Sequence, residues 1–220
     1  MTVTIHVAWR RLGPEDDARA ASDALARRAV ATALGADAES VELGRRCPRC
    51  GSRGHGAPVV LSPASPARVS LSRADGVTVA AAVVGPEGLG VDVERAGTML
   101  AREVADVALA PGEVPAQGPD GLLVSWVRKE AVLKAAGTGL ATDPRALRLE
   151  GTRVVEGPDG PWWLADVDLD GDLVVAVAAR GVKVAKIDVE VEVEVEVSVR
   201  DAPAAGLGAQ ARPATRTPGS

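Results

Sequence analysis

The stretch Gly90-Val91-Asp92-Val93-Glu94 constrains this chain most, together with the run Trp126-Val127-Arg128-Lys129-Glu130-Ala131-Val132-Leu133-Lys134 downstream. A strand sends successive side chains to opposite faces, so Val91 and Val93 need a core on one side while Asp92 and Glu94 share the other. The second run has helical spacing, which stacks Glu130 and Lys134 one turn apart on one face. Two carboxylates two residues apart on a strand repel each other unless a cation lies between them. Hard oxygen ligands of this kind suit Mg²⁺. Glu130 offers a third carboxylate and Lys134 a cation beside it, a set that fits a metal-bound pyrophosphate. Each piece also has an ordinary reading. Asp-x-Glu is commonly the solvent face of a half-buried sheet, and a helical Glu–Lys pair is commonly a surface contact worth about 0.2–0.5 kcal/mol. The order and residue types together favour the metal–phosphate reading.

The elements around these two runs are mixed. Val3 to Trp9 alternates as a strand. Pro14 to Asp17 opens a helix whose apolar positions are Ala21, Leu25, Ala29, Val30 and Leu34, with Gly35 ending it. Residues 44–58 read as a Gly/Pro-rich loop. Arg68–Leu71 and Val77–Val84 read as strands joined at Ala74-Asp75-Gly76. A short helix is expected over Leu100–Leu109 and the Lys-Glu helix over Leu122–Ala136, with a loop between them in which Glu113 is either an ordinary carboxylate, the favoured reading, or an aid to the chemistry. Leu147–Leu149, Val154-Val155, Trp162–Val167 and Leu173–Ala178 read as one antiparallel meander. From Val182 the sequence turns to alternating Val and Glu, fitting an edge strand with one charged face. Ala202–Ser220 is rich in Ala, Pro, Gly and Thr and reads as disordered.

With no Phe or Tyr and only four Trp in 220 residues, the core must be aliphatic. A net charge of −5 disfavours general nucleic-acid binding but allows local basic patches. Arg45, Arg46, Arg49 and Arg53 form one such patch, solvated or phosphate-binding. No run approaches the ~20 apolar residues of a membrane helix. Met1–Arg11 lacks a basic head and a long apolar run, and there are two cysteines, which together predict a reducing, cytoplasmic setting. Cys47-Pro48-Arg49-Cys50 with His55 offers three zinc ligands where a structural site usually has four. Ordinary loop cysteines are the favoured reading, with a metal site and a redox pair as alternatives.

Gly-Val-Asp-Val-Glu followed by Trp-x-x-Lys-Glu-Ala-x-x-Lys resembles the double signature of the 4′-phosphopantetheinyl transferases, of the type that activates polyketide and non-ribosomal peptide synthases. The likeness covers about residues 15–180, with supporting pieces at Cys50 to Pro58, Val69 to Asp75 and Ala110 to Glu113. The resemblance implies a pseudo-twofold α/β fold: residues 1–88 and 89–181 as two subdomains, each a helix on a mainly antiparallel sheet, followed by a 182–220 tail. It implies transfer of phosphopantetheine from coenzyme A to a serine of an apo acyl or peptidyl carrier protein, releasing adenosine 3′,5′-bisphosphate. Asp92, Glu94 and Glu130 would then hold Mg²⁺. Glu130 would also help deprotonate the serine, and Lys134 would contact a phosphate. Arg27, Ser72, Arg73 and Lys129 complete the implied coenzyme A contacts. The family's Gly-Lys-Pro lysine is Ala57 here, and its Ser-His histidine is Arg73, whose guanidinium can take the same phosphate. Expected partners are coenzyme A and the carrier, with no nucleic acid and no membrane, and a monomer suffices. A non-catalytic coenzyme A or carrier-binding homologue is the alternative, and a zinc-loop interaction protein a third reading.

Overall fold

The computed structural model describes residues 2–98 and 106–191. It is a mixed α/β structure with few helices and several sheets. The first sheet has the order β11-β1-β5-β4, from strands β1 (Thr2–Arg11), β4 (Ala67–Ala74), β5 (Val77–Val84) and β11 (Lys183–Val191). The second has the order β6-β10-β9, from β6 (Gly88–Arg95), β9 (Trp162–Asp166) and β10 (Leu173–Arg180). Helix α1 (Ala18–Leu34) lies on the first sheet and α2 (Gly121–Ala135) on the second.

Aliphatic alternation builds the core. Ile5 and Val7 of β1, Val79 and Val83 of β5, Val91 and Val93 of β6 and Val175 and Val177 of β10 form one buried cluster. The opposite faces of the strands meet the helices. Ala80 and Ala82 pack with Leu25, Ala29 and Val30 of α1, while Ala176 and Ala178 pack with Val127 and Ala131 of α2. Small residues on the helix-facing sides and valines between the sheets supply a core without Phe or Tyr. Helix α1 starts where the Asp17 carboxylate accepts from the N–H groups of Arg19 at 2.8 Å and Ala20 at 3.1 Å. It ends at Gly35.

Strands β4 and β6 run beside each other at the junction of the two sheets and are tied by side chains rather than a ladder. The Val91 N–H donates to Ser70 Oγ at 3.0 Å. The glycine before the acidic pair has a steric reason. A Cβ on Gly90 would overlap the carbonyl oxygen of Ala131 and sit 2.6 Å from the Ala135 nitrogen. Strand and helix backbones therefore touch there, at the residues that directly follow Glu130 and Lys134. Gly90→Ala is expected to cost about 1–3 kcal/mol, because neither backbone can yield. A denaturation midpoint checks this, and an unchanged midpoint would show that α2 does not rest on β6 so closely.

Three expectations change. Residues 44–58 are not all loop: β2 (Glu42–Arg46) and β3 (Ala57–Ser62) form a hairpin, and only residues 47–56 connect them. Leu43 and Val60 pack against the α1 core, an apolar contribution that Gly44 and Pro58 mask in the sequence. The C-terminal meander is split. β7 (Arg148–Glu150) and β8 (Arg153–Glu156) pair with each other, while β10 sits between β9 and β6. The Val/Glu segment is the expected edge strand as far as Val191, running parallel to β1 and covering its edge. Glu113 is buried rather than an ordinary loop carboxylate. The expected Leu100–Leu109 helix is seen from residue 106, and its start lies outside the described residues, as does the 202–220 tail.

Candidate active site

The cleft at the junction has a volume of about 630 Å³. Its walls come from β4 (Ser72, Arg73), β6 (Asp92, Glu94), α2 (Trp126, Glu130, Lys134) and the end of the 47–56 loop with Ala57 and Pro58. Positions 126, 130 and 134 recur every four residues, so α2 presents them as one column. The strand period of two places Asp92 and Glu94 opposite that column.

Lys134 is the electrostatic hub. Its Nζ donates to Asp92 Oδ1 at 2.6 Å, Ser72 Oγ at 2.9 Å and the Val91 carbonyl at 3.1 Å. Ser72 Oγ donates in turn to Asp92 Oδ1 at 2.7 Å. The expected helical partner of Lys134, Glu130, is not the one it takes. That leaves one ammonium among three carboxylates. Burial, then Asp92, then Glu94 push the Glu130 carboxyl up to about 7, against the opposing pull of Lys134. Burial and Asp92 likewise push Glu94 up. Asp92 Oδ2 and Glu130 Oε1 are buried and receive no hydrogen bond among the described residues. Orphaned anionic oxygens are costly, and a divalent cation relieves both at once. The donor set therefore fits a hard metal ion. The three carboxylates are not drawn around a single point. Among the described residues, the trio whose ligand atoms all lie within 4.8 Å of one another is Cys47, Cys50 and His55.

Of the expected site residues, Ser72, Arg73, Asp92, Glu94, Glu130 and Lys134 line the cleft. Arg27 does not. It is half-buried on α1, outside the cleft lining. Nor does Lys129, which is fully buried and bound to Glu113 and, at 3.1 Å, to the Pro144 carbonyl. Burial pulls its ammonium below the ordinary lysine value, with Glu113 opposing. A helix turns 100° per residue, so Lys129 and Glu130 face different neighbours. A second cavity of about 730 Å³ is larger than the cleft. Its Arg128 is already clamped to Asp166 at 2.8 and 2.5 Å, and it holds no unsatisfied acid. Chemistry rather than size therefore selects the junction cleft. Ser70 and the 47–56 loop also contribute to the lining, the loop through Pro48 and Gly56; the resemblance pointed to both segments without giving Ser70 a role.

A cleft that sets strand carboxylates against a helical Glu and Lys has the chemistry to hold a metal-bound phosphate group. Residues 88–178, which span β6, α2 and β10, match the family model described as the 4′-phosphopantetheinyl transferase superfamily. That match supports phosphopantetheine transfer as the general activity of this stretch. No curated protein matches the chain. Among the described residues no helix is long and apolar enough to cross a membrane.

Proposed function

We propose that the chain transfers phosphopantetheine from coenzyme A to a serine of an apo acyl or peptidyl carrier protein, in the cytoplasm and as a monomer. The observation that carries this reading is the pair of buried, unsatisfied oxygens on Asp92 and Glu130 beside Lys134. Asp92, Glu94 and Glu130 would hold Mg²⁺, which would supply charge neutralisation at the pyrophosphate. The carrier serine Oγ bonds to the phosphorus bearing the pantetheine, the bond to the bridging oxygen breaks, and adenosine 3′,5′-bisphosphate leaves. Glu130, with a carboxyl poised near neutrality, accepts the serine proton directly or through water. Lys134 moves from Asp92 to the pyrophosphate and offsets the growing charge. Arg73 at the rim takes a coenzyme A phosphate. Residues 1–88 and 89–181 would then be the two pseudo-twofold halves, with the site at their seam.

The reaction is tested by chromatographic detection of adenosine 3′,5′-bisphosphate when coenzyme A, Mg²⁺ and an apo carrier are mixed with the chain. Nucleotide release that needs all three supports transfer. Coenzyme A binding without release across carriers of several kinds supports the non-catalytic homologue, in which Ala57 and Arg73 replace the family residues. Metal affinity should also titrate. Because Glu130 must lose its proton to bind a cation, apparent Mg²⁺ affinity should fall by up to about tenfold per pH unit below about 7. Calorimetry across that range checks this, and a flat profile would remove Glu130 from the ligand set.

A further inference from the structure

The loop from residue 47 to 56 hangs between paired residues Arg46 of β2 and Ala57 of β3. The hairpin brings both ends of the loop together, and with them Cys47, Cys50 and His55. Their ligand atoms all lie within 4.8 Å of one another, and Cys50 Sγ is 3.4 Å from His55 Nε2. A tetrahedral zinc ion with Zn–S of about 2.3 Å and Zn–N of about 2.0–2.1 Å separates a sulfur and a nitrogen ligand by about 3.6 Å. The observed spacing is within a few tenths of that. We propose that Cys47 Sγ, Cys50 Sγ and His55 Nε2 bind one zinc ion, with the fourth position open to water or another ligand.

The turn itself is shaped for the task. The Gly51 N–H donates to the Cys47 carbonyl at 2.9 Å, and the Cys47 N–H donates to the Ser52 carbonyl at 2.9 Å. Gly51 holds φ at 72°, a conformation that closes the turn and that a side chain would resist. The backbone N–H groups of Cys50 and Arg49 are turned toward the Cys47 sulfur. Neither cysteine is in a disulfide, and Cys50 and His55 are exposed, so an ion can reach them. Pro48, Gly56, Ala57 and Pro58 of the same segment line the junction cleft, so the ion would stiffen one of its walls. The site stands on its own residues and not on the transfer reaction.

The test is zinc content of the full chain purified under reductant and gel-filtered in excess Mg²⁺, which saturates the carboxylates. About one zinc per chain is expected, falling to background in the C47S/C50S double variant. Trypsin should cut at Arg46, Arg49 and Arg53 faster after the metal is chelated. Cobalt substitution of the unaltered chain gives a readout that needs no variant, through thiolate charge-transfer absorption. The proposal is overturned by less than stoichiometric zinc after reconstitution, by zinc undiminished in C47S/C50S, or by cobalt binding without thiolate absorption.

Discussion

Glu130→Gln should cut the rate of phosphopantetheine transfer at least about a hundredfold while making the metal-free protein more stable above neutral pH. The amide keeps the shape of the side chain but cannot take a serine proton and is a poor cation ligand. The stability gain follows from the raised carboxyl. Unfolded, Glu130 titrates near the ordinary 4.5; folded, it titrates at about 7. Between those values the native state binds the extra proton, so its stability falls as pH rises through the window. Above it, the wild type carries the full cost of a buried carboxylate next to Asp92 and Glu94. The variant escapes that cost. Its advantage should be largest at about pH 8 without Mg²⁺ and should shrink toward pH 5 or when Mg²⁺ is added. Paired thermal melts and transfer rates check both halves. A variant that is inactive and also less stable at about pH 8 would mean that Glu130 serves packing rather than chemistry.

Glu113→Ala should destabilise the fold by about 3–5 kcal/mol, a large share of the ~5–15 kcal/mol typical of a native domain. Lys129 is fully buried, and its ammonium binds the Glu113 carboxylate. That carboxylate also accepts from the N–H groups of Ala110 at 2.7 Å and Leu149 at 3.0 Å. Truncation would strand a charge inside the molecule and orphan two backbone donors, untying the segment before α2 from β7. The double variant Glu113→Gln with Lys129→Met leaves no lone charge and keeps an acceptor, so it should recover most of the loss. Because Lys129 faces away from the cleft, that double variant should retain transfer within a few-fold. Denaturant midpoints and rates decide. A loss below about 1 kcal/mol for Glu113→Ala would show the pair to be hydrated, and a collapse of transfer in the folded double variant would return Lys129 to the coenzyme A site.

The site was more legible in the sequence than the tertiary pairings around it. Asp92 with Glu94, and Glu130 with Lys134, follow from the strand period of two and the helix period near four, and both pairs line one cleft. Local periodicity cannot say which cation answers which anion. Lys134 crosses to Asp92, 42 residues away, instead of closing on its helical neighbour. Nor could it mark Lys129 and Glu113, since an irregular segment lies between them and nothing in its spacing signals burial. The parallel pairing of β11 with β1 joins opposite ends of the chain, which no local pattern encodes. The β2–β3 hairpin was hidden by Gly44 and Pro58, whose loop character outweighs the few apolar residues beside them. The thiol–imidazole trio depends on that same hairpin, so its convergence was invisible until the hairpin was in place.

The most direct test of the central claim is intact-protein mass spectrometry of an apo carrier protein incubated with this chain, coenzyme A and Mg²⁺. The account predicts a gain of one phosphopantetheine group on the carrier, lost with EDTA and lost with Glu130→Gln. A folded chain that adds nothing to polyketide, peptide-synthetase and fatty-acid carriers alike would contradict it.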